Sequence, residues 1–179
     1  MISWLRNVAP GALVCVLILA GATAESVAAQ ETGYQAGDRA PVVVVNDLDG
    51  KPVDLGQYLG QVPVYLEFWA TWCSRCEALM PTVRRAAAQF GDEVEFIGVN
   101  IAVNQTPRRV RRYLEERHPP FRTLFDNLGT SVRAFHAPTT SYVVIVDREG
   151  IIRYTGVGED QDFDEILRQL TSGGGSVEQ

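Results

Sequence analysis

The sequence has few of the residues that build metal sites or disulfide scaffolds. Its 179 residues include three cysteines and two histidines, and His118 and His136 do not stand at the spacing of metal ligands. A zinc site is therefore disfavoured, although a single Cys-x-x-Cys pair can be half of one. An excess of positive charge is also lacking. The net charge of -6 gives no support for nucleic-acid binding.

The N-terminal apolar run, residues 12–22, is too short to span a bilayer. It has the length of a signal peptide, and small residues follow it at 22–24 and 27–29. We predict a signal peptide over residues 1–29, cleaved after Ala24 or Ala29, with an uncleaved membrane anchor as the alternative. The protein is then expected outside the cytoplasm, in the periplasm. The rest is predicted to form a linker at 30–36, a folded domain at 37–172 and a flexible tail at 173–179.

Cleavage at either site removes Cys15 and leaves Cys73 and Cys76. A disulfide between residues so close in sequence closes a small loop and adds little stability. We therefore expect the disulfide to function by being opened and closed. The pair follows an apolar run, 62–69, that reads as a buried strand, and it stands on the first turn of a predicted helix. Helix N-terminal amides stabilise a thiolate, so we predict thiol–disulfide exchange. Cys73 at the exposed helix start is the expected nucleophile, and Cys76, buried one turn on, the resolving thiol. A structural disulfide and metal ligation are the alternatives.

The rest of the pattern alternates strands and helices without an internal repeat, which predicts an α/β fold with a central mixed sheet covered by helices. An Asp49-Gly50 turn joins the first two strands, and Asp162 with Glu165 has the pattern of a capping box. The predicted strands are 41–48, 52–59, 62–69, 94–99, 141–146 and 151–157, and the predicted helices are 73–90, 106–117, 127–135 and one from 162 onward.

The stretch from Phe68 to Cys76 reads Phe-Trp-Ala-Thr-Trp-Cys-Ser-Arg-Cys. With it the chain resembles the thioredoxin superfamily, and more closely its extracytoplasmic TlpA-like and ResA-like disulfide reductases, from about Gly37 to Leu170. Further landmarks of the resemblance are Ala40-Pro41, Asp49-Gly50, Pro81, Pro138-Thr139 and 147–150. The resemblance implies a thioredoxin-like fold with an N-terminal β-hairpin extension and no cofactor. It also implies disulfide-containing protein substrates and a membrane thiol reductant.

The resemblance extends to individual site residues. Trp72 is expected to shield the active site and contact substrate, with plain packing as the alternative. Pro138 is expected to form a cis bond with Ala137, whose backbone would hold the substrate chain. Ser74 and Arg75, between the cysteines, are expected to tune the redox potential. A cation at Arg75, where relatives carry proline, favours the thiolate and a more oxidising pair.

Glu67 lies six residues before Cys73 in the predicted strand, where thioredoxins carry a buried aspartate. Burial of a carboxylate in an apolar strand is unfavourable without a partner or a function, and a neutralised one can accept the proton of the resolving thiol. The alternative is a solvated glutamate at the strand end. In contrast, Leu79 stands where TlpA-like chains carry a carboxylate, so the substrate selection of ResA is not implied.

Several functions stay open at this stage. The leading one is the reduction of protein disulfides, with cytochrome c maturation as a pathway suggested by the resemblance. The alternatives are a disulfide oxidase or isomerase and a copper(I)-binding assembly factor, for which His136 is the nearest further ligand. The arginines at 108, 109, 111 and 112 could bind an acidic partner, but we expect a solvated helix face offset by Glu115 and Glu116.

Overall fold

The computed structural model describes residues 33–172 of the chain. The predicted signal peptide, residues 30–32 of the predicted linker and the predicted tail lie outside the described residues. None of the helices within 33–172 is long and apolar enough to cross a membrane.

The described residues form one sheet with helices on both of its sides. The strands are β1 (Val44–Asn46), β2 (Pro52–Asp54), β3 (Val64–Trp69), β4 (Glu95–Asn100), β5 (Arg122–Phe125), β6 (Tyr142–Val146) and β7 (Ile152–Val157). The helices are α1 (Ser74–Phe90), α2 (Pro107–Arg117), α3 (Thr130–Ala134) and α4 (Asp164–Thr171), and Leu55–Gln57 forms one 3₁₀ turn.

The sheet has the strand order β2-β1-β5-β4-β3-β6-β7. Strand β3 is central, because it pairs in parallel with β4 and antiparallel with β6. The predicted mixed sheet is therefore confirmed. The N-terminal hairpin is confirmed as well, with β1 and β2 antiparallel and β1 joined to β5 at Asn46 and Phe125. Strand β5 is absent from the sequence prediction, because its four residues are too few to show a period.

All six residues of β3 are buried, and successive side chains point to opposite sides of the sheet. Val64 and Phe68 pack into the cluster that lies on the side of the N-terminal hairpin. Tyr65 packs against α1 and α4 on the other side, and Trp69 lies on that side next to both cysteines of the predicted motif. Since Glu67 stands between Tyr65 and Trp69 in the alternation, its side chain is on the cysteine side of the sheet.

The β6–β7 hairpin shows why its turn sequence folds as it does. Asp147 Oδ1 accepts hydrogen bonds from the N–H groups of Glu149 (2.9 Å) and Ile151 (2.8 Å). Gly150 follows with a φ of 79°, a conformation in which glycine has no steric penalty. The turn lies at the end of the sheet opposite to the cysteines, because Val146 pairs with Val64, the first residue of β3.

The predicted capping box at the last helix is wrong. Helix α4 begins at Asp164 after Phe163 as N-cap, and the Phe163 side chain makes no capping hydrogen bond. Asp162 Oδ1 instead accepts the N–H of Asp164, two residues on (3.1 Å). Glu165 bonds to Gln169 and Arg168 within the helix. The N-cap residue itself, Phe163, is buried in the core.

Candidate active site

The two cysteines lie where the chain leaves β3 and enters α1. Cys73 is the N-cap of α1, with extended backbone angles, and Cys76 is on the first turn. They form a disulfide with their Cα atoms 5.3 Å apart. The N–H of Cys76 donates a hydrogen bond to Cys73 Sγ (3.0 Å). One amide that lacks a partner within the helix therefore points at the sulfur, where it stabilises a thiolate once the bond is reduced.

The expectation that Cys73 is exposed is wrong. Its exposed fraction is 4%, close to the 2% of Cys76. The two differ in access instead, because a surface cleft reaches Cys73 but not Cys76. The cleft is lined by Trp72, Cys73, Ser74, Arg75, Thr139 and Thr140. A substrate sulfur that enters it meets Cys73 first, which supports the predicted order of attack and resolution.

Trp72 forms one wall of this cleft and is 46% exposed. Its indole Nε1 donates a hydrogen bond to the carbonyl oxygen of Val103 (2.8 Å), which fixes the ring on the surface. The ring is therefore exposed at the surface rather than packed in the core, and its contact with substrate stays a prediction.

Ser74 and Arg75 also line the cleft, and both are exposed. Arg75 Nε lies 3.8 Å from Glu159 Oε2, and about half of each side chain is exposed. Exposed pairs of this kind interact weakly, but the carboxylate still opposes the influence of the arginine on a Cys73 thiolate. Whether Ser74 and Arg75 tune the potential remains a prediction.

The expected cis bond at Ala137–Pro138 is wrong. Among the described residues, the cis peptide bond is Thr140–Ser141. Strand β6 begins at Tyr142, so Ser141 directly precedes it, whereas Pro138 stands four residues before the strand. The prediction assigned the cis bond to the proline, whereas in the structure the bond lies directly before strand β6.

The chain around this bond is held by the start of the β6–β7 hairpin. Ser141 is fully buried, its hydroxyl donates to the carbonyl oxygen of Gly158 (3.0 Å), and its own carbonyl accepts from the N–H of Gly158 (3.0 Å). Thr139 and Thr140 therefore lie beside Cys73 in the cleft. Ala137 packs against the core on the hairpin side, and Pro138 is exposed outside the cleft.

Glu67 is fully buried, so the alternative of a solvated strand-end glutamate is wrong. Desolvation raises the pKa of its carboxyl group to about 8, although a hydrogen bond from the Tyr65 hydroxyl to Oε2 (3.1 Å) works in the opposite direction. Oε1 has no partner among the described residues. At neutral pH the group is mostly protonated, and its pKa lies near that of an ordinary thiol.

Gly98 on the neighbouring strand leaves space for two aromatic rings beside Glu67. Gly98 of β4 pairs with Glu67, and a Cβ there would come within 2.4 Å of the Phe121 ring and 2.8 Å of Trp69 Nε1. The rings of Trp69 and Phe121 fill the space, with centroids 5.6 Å apart. These rings lie over the strand position that pairs with Glu67, on the side of the sheet that carries the disulfide.

Within residues 33–172, no group of three or more histidine, cysteine or acidic side chains comes together as a metal site. The His136 ring packs against Tyr34, with ring centroids 5.4 Å apart, and does not line the cleft at Cys73. Within the described residues, His136 is therefore not placed as a further copper(I) ligand beside Cys73.

A mixed sheet, a Cys-x-x-Cys disulfide at the start of the helix after its central strand and a cleft open to the first cysteine together define a thiol–disulfide oxidoreductase of thioredoxin-like fold. The chain belongs to the Redoxin family, whose family model matches residues 35–170.

Named relatives agree with this class. The thiol-disulfide oxidoreductase ResA of Bacillus cereus (strain ATCC 10987) is 26% identical over 166 residues, which cover 89% of this chain and 94% of that protein. The thioredoxin-like protein YneN of Bacillus subtilis (strain 168) is 30% identical over 132 residues, or 72% of this chain and 75% of that protein.

A solved structure shares the fold. The crystal structure of a candidate thiol:disulfide interchange protein DsbE from Chlorobium tepidum superposes with a TM-score of 0.63 at 26% identity. The match covers 76% of this chain and 94% of that chain.

Proposed function

We propose that this oxidoreductase works outside the cytoplasm and reduces disulfides of other proteins, with Cys73 as the attacking and Cys76 as the resolving thiol. The observation that carries the proposal is the cleft, which admits a substrate to Cys73 while Cys76 lies behind it. Relatives named thiol-disulfide oxidoreductase support the chemistry. The proposed pathway is cytochrome c maturation, in which haem-attachment cysteines must be kept reduced.

The proposed cycle starts from the reduced pair. The Cys73 thiolate attacks one sulfur of a substrate disulfide, a mixed disulfide forms, and the other substrate sulfur leaves as a thiolate. Cys76 then loses its proton and attacks Cys73 Sγ, which releases the second substrate thiol and forms the Cys73–Cys76 disulfide seen here. A membrane-bound dithiol donates two electrons and two protons to restore the reduced pair.

Glu67 is proposed as the proton acceptor for Cys76. Only its ionised form can take that proton, and this form becomes more abundant as the pH rises through its pKa of about 8. Glu67 and Cys76 lie on the same side of the sheet. Trp69 is the next residue of β3 on that side after Glu67, and it packs in one cluster with Cys76. The resolution step should therefore accelerate as the pH rises.

The substrate chain is proposed to lie along Thr139 and Thr140. These residues form the wall of the cleft next to Cys73, and Thr140 precedes the cis bond. Because Thr140 lines the cleft beside Cys73, its backbone is proposed to take the role that the sequence predicted for Ala137. Trp72, fixed by its bond to Val103, forms the neighbouring wall and is proposed to contact the same chain.

Replacing Cys76 by serine is expected to trap substrates on Cys73, because attack remains possible while resolution does not. Non-reducing electrophoresis of cell-envelope extracts should show slower bands that collapse on reduction. Mass spectrometry of those bands identifies the partners, and haem-attachment cysteines among the captured sites are the expected result for the proposed pathway.

The double variant Cys73→Ser/Cys76→Ser is the matched control, because it removes the attacking thiol and should give no adducts. A lack of adducts in Cys76→Ser, even with an excess of an oxidised peptide substrate, would contradict the resolving role of Cys76.

The proposed location rests on the N-terminal pattern of the sequence, a short apolar run at residues 12–22 followed by small residues. We expect the mature protein to begin at Glu25 or Gln30 and to be released with the periplasmic fraction. Mass spectrometry of the purified native protein checks this. A chain that still contains Met1 and stays in the membrane fraction would establish the anchor instead.

A further inference from the structure

Helix α2 presents three arginines to a groove beside the active site. The groove is lined by Thr71, Thr106, Arg108, Arg109, Arg112, Tyr113 and Glu116. The side chains of Arg108, Arg109 and Arg112 are exposed. The helix begins in this groove, with Thr106 as N-cap, so its positive dipole end adds to the charge of the arginines.

These arginines are solvated as expected, but within residues 33–172 they form no ion pair with Glu115 or Glu116. Among residues 33–172, the ion pairs made by α2 are Arg111 with Asp49 and Arg117 with Glu77, both outside the groove. No ion pair with a described residue is formed by Arg108, Arg109 or Arg112. Glu116 lines the groove as a single carboxylate against three guanidinium groups.

The groove is connected to the redox site through the loop before the disulfide. Arg109 Nε donates a hydrogen bond to Thr71 Oγ1 (3.2 Å), and Thr71 is two residues before Cys73. Next to it, Trp72 (46% exposed) and Val103 (53% exposed) form an apolar surface, joined by the bond from Trp72 Nε1 to the Val103 carbonyl. Exposed tryptophan and arginine side chains together are typical of the centres of protein interfaces.

We propose that this cationic groove, formed by Thr71, Arg108, Arg109 and Arg112, binds an acidic segment of the protein whose disulfide Cys73 attacks. The inference rests on the proposed function and names the partner chemistry at the same site. The partner segment carries Asp or Glu residues close in sequence to its cysteine, with an apolar residue that contacts Trp72. Attraction across the groove raises the rate of encounter and fixes the direction in which the segment enters the cleft.

The charge of the whole chain favours a short acidic segment over other anions. With a net charge of -6, the protein repels extended polyanions such as nucleic acid or an anionic bilayer. A short peptide segment, in contrast, is exposed mainly to the local positive charge of the groove. An open groove along a helix also fits an extended chain better than a small anion, which needs an enclosing set of donors.

The test uses the full-length mature protein and three synthetic peptides with one intramolecular disulfide each, identical except for acidic, neutral or basic residues beside the cysteines. Stopped-flow kinetics measures the rate constant of mixed-disulfide formation. The variants are Arg108→Gln/Arg112→Gln and Arg108→Glu/Arg112→Glu. Arg85→Glu/Arg148→Glu is the control, because it changes the net charge by the same amount at two exposed arginines outside the groove.

The wild type should react fastest with the acidic peptide, and added salt should remove this preference. The Arg108→Glu/Arg112→Glu variant should lose about tenfold in rate constant with the acidic peptide at low salt, within the range of electrostatic steering, and gain with the basic one. The glutamine variant should lie between the two, and the control variant should stay within about twofold of the wild type. Reaction with the neutral peptide should be unchanged in all variants.

An equal loss with the acidic peptide in the control variant would overturn the proposal, because overall charge would then explain it. A loss of the same size with oxidised glutathione would also overturn it, since the groove would then recognise small carboxylates. If the wild type reduces the neutral peptide but shows no preference for the acidic one, the groove proposal fails and the proposed function stands. If it reduces none of the three, the proposed function itself fails.

Discussion

Replacing Cys73 by serine is expected to lower the reduction of a protein disulfide to the uncatalysed rate, while the fold persists. The reaction needs a thiolate at the position reached from the cleft, and a serine hydroxyl at its ordinary pKa cannot replace it. Serine is a favoured N-cap residue, and its Oγ can accept the N–H of Cys76 as the sulfur does now. The start of α1 should therefore survive the substitution.

The measurement is turnover of a disulfide substrate with excess reductant, with circular dichroism and thermal unfolding as checks on the fold. Gln89→Ala is the matched control on the same helix, because its side chain is exposed outside the cleft and its loss should leave turnover within about twofold. Retained turnover in folded Cys73→Ser would show that this cysteine is not the nucleophile.

Replacing Glu67 by glutamine is expected to stabilise the protein at alkaline pH and to leave it nearly unchanged at acid pH. Burial raises the pKa of this carboxyl group from its ordinary value of 4.5 to about 8 in the folded protein. The protonated form is therefore favoured by folding. Its full contribution to stability is present below about pH 4.5 and is lost as the pH rises towards 8, because the unfolded chain ionises first.

The size of this effect follows from the shift in pKa. At about 1.4 kcal/mol per unit, the shift corresponds to a loss of up to about 5 kcal/mol for the wild type between acid and alkaline pH. Glutamine carries no titrating proton and keeps the shape, so the free energy of unfolding of Glu67→Gln should lack this component. Urea unfolding of both proteins at a series of pH values gives the difference. Parallel curves for the two proteins across pH would show that Glu67 is not titrating in a buried environment.

The same variant tests the role of Glu67 in catalysis. Without the carboxylate, release of the mixed disulfide should be slower and should lose its increase near pH 8, while the first attack by Cys73 should be unaffected. Stopped-flow measurement of both steps separates them. A variant that is more stable but equally fast in both steps at every pH would assign Glu67 a structural effect only, with the proton passing to water.

The sequence predicted the fold class, the hairpin extension and most element positions, because these depend on local patterns. Strand β3 is a continuous apolar run, and Asp147 to Gly150 has the residues that a tight turn requires. The Cys-x-x-Cys spacing and its place after a strand identified the chemistry. Strand β5 was missed because its pairing with β4 forms it, and no local period marks it.

The tertiary structure decided what depends on contacts between distant segments. It buried Cys73, although its position at the helix start predicted exposure, and placed it in one cluster with Trp69 and Phe125. It has the cis bond at Thr140–Ser141 rather than at Pro138, and Ser141 forms hydrogen bonds with Gly158, which follows the next strand. It buried Glu67 completely, and this burial raises the pKa of its carboxyl group. The charge of single residues was visible in the sequence, but the ion pair of Arg111 on α2 with Asp49, far away in the chain, was not.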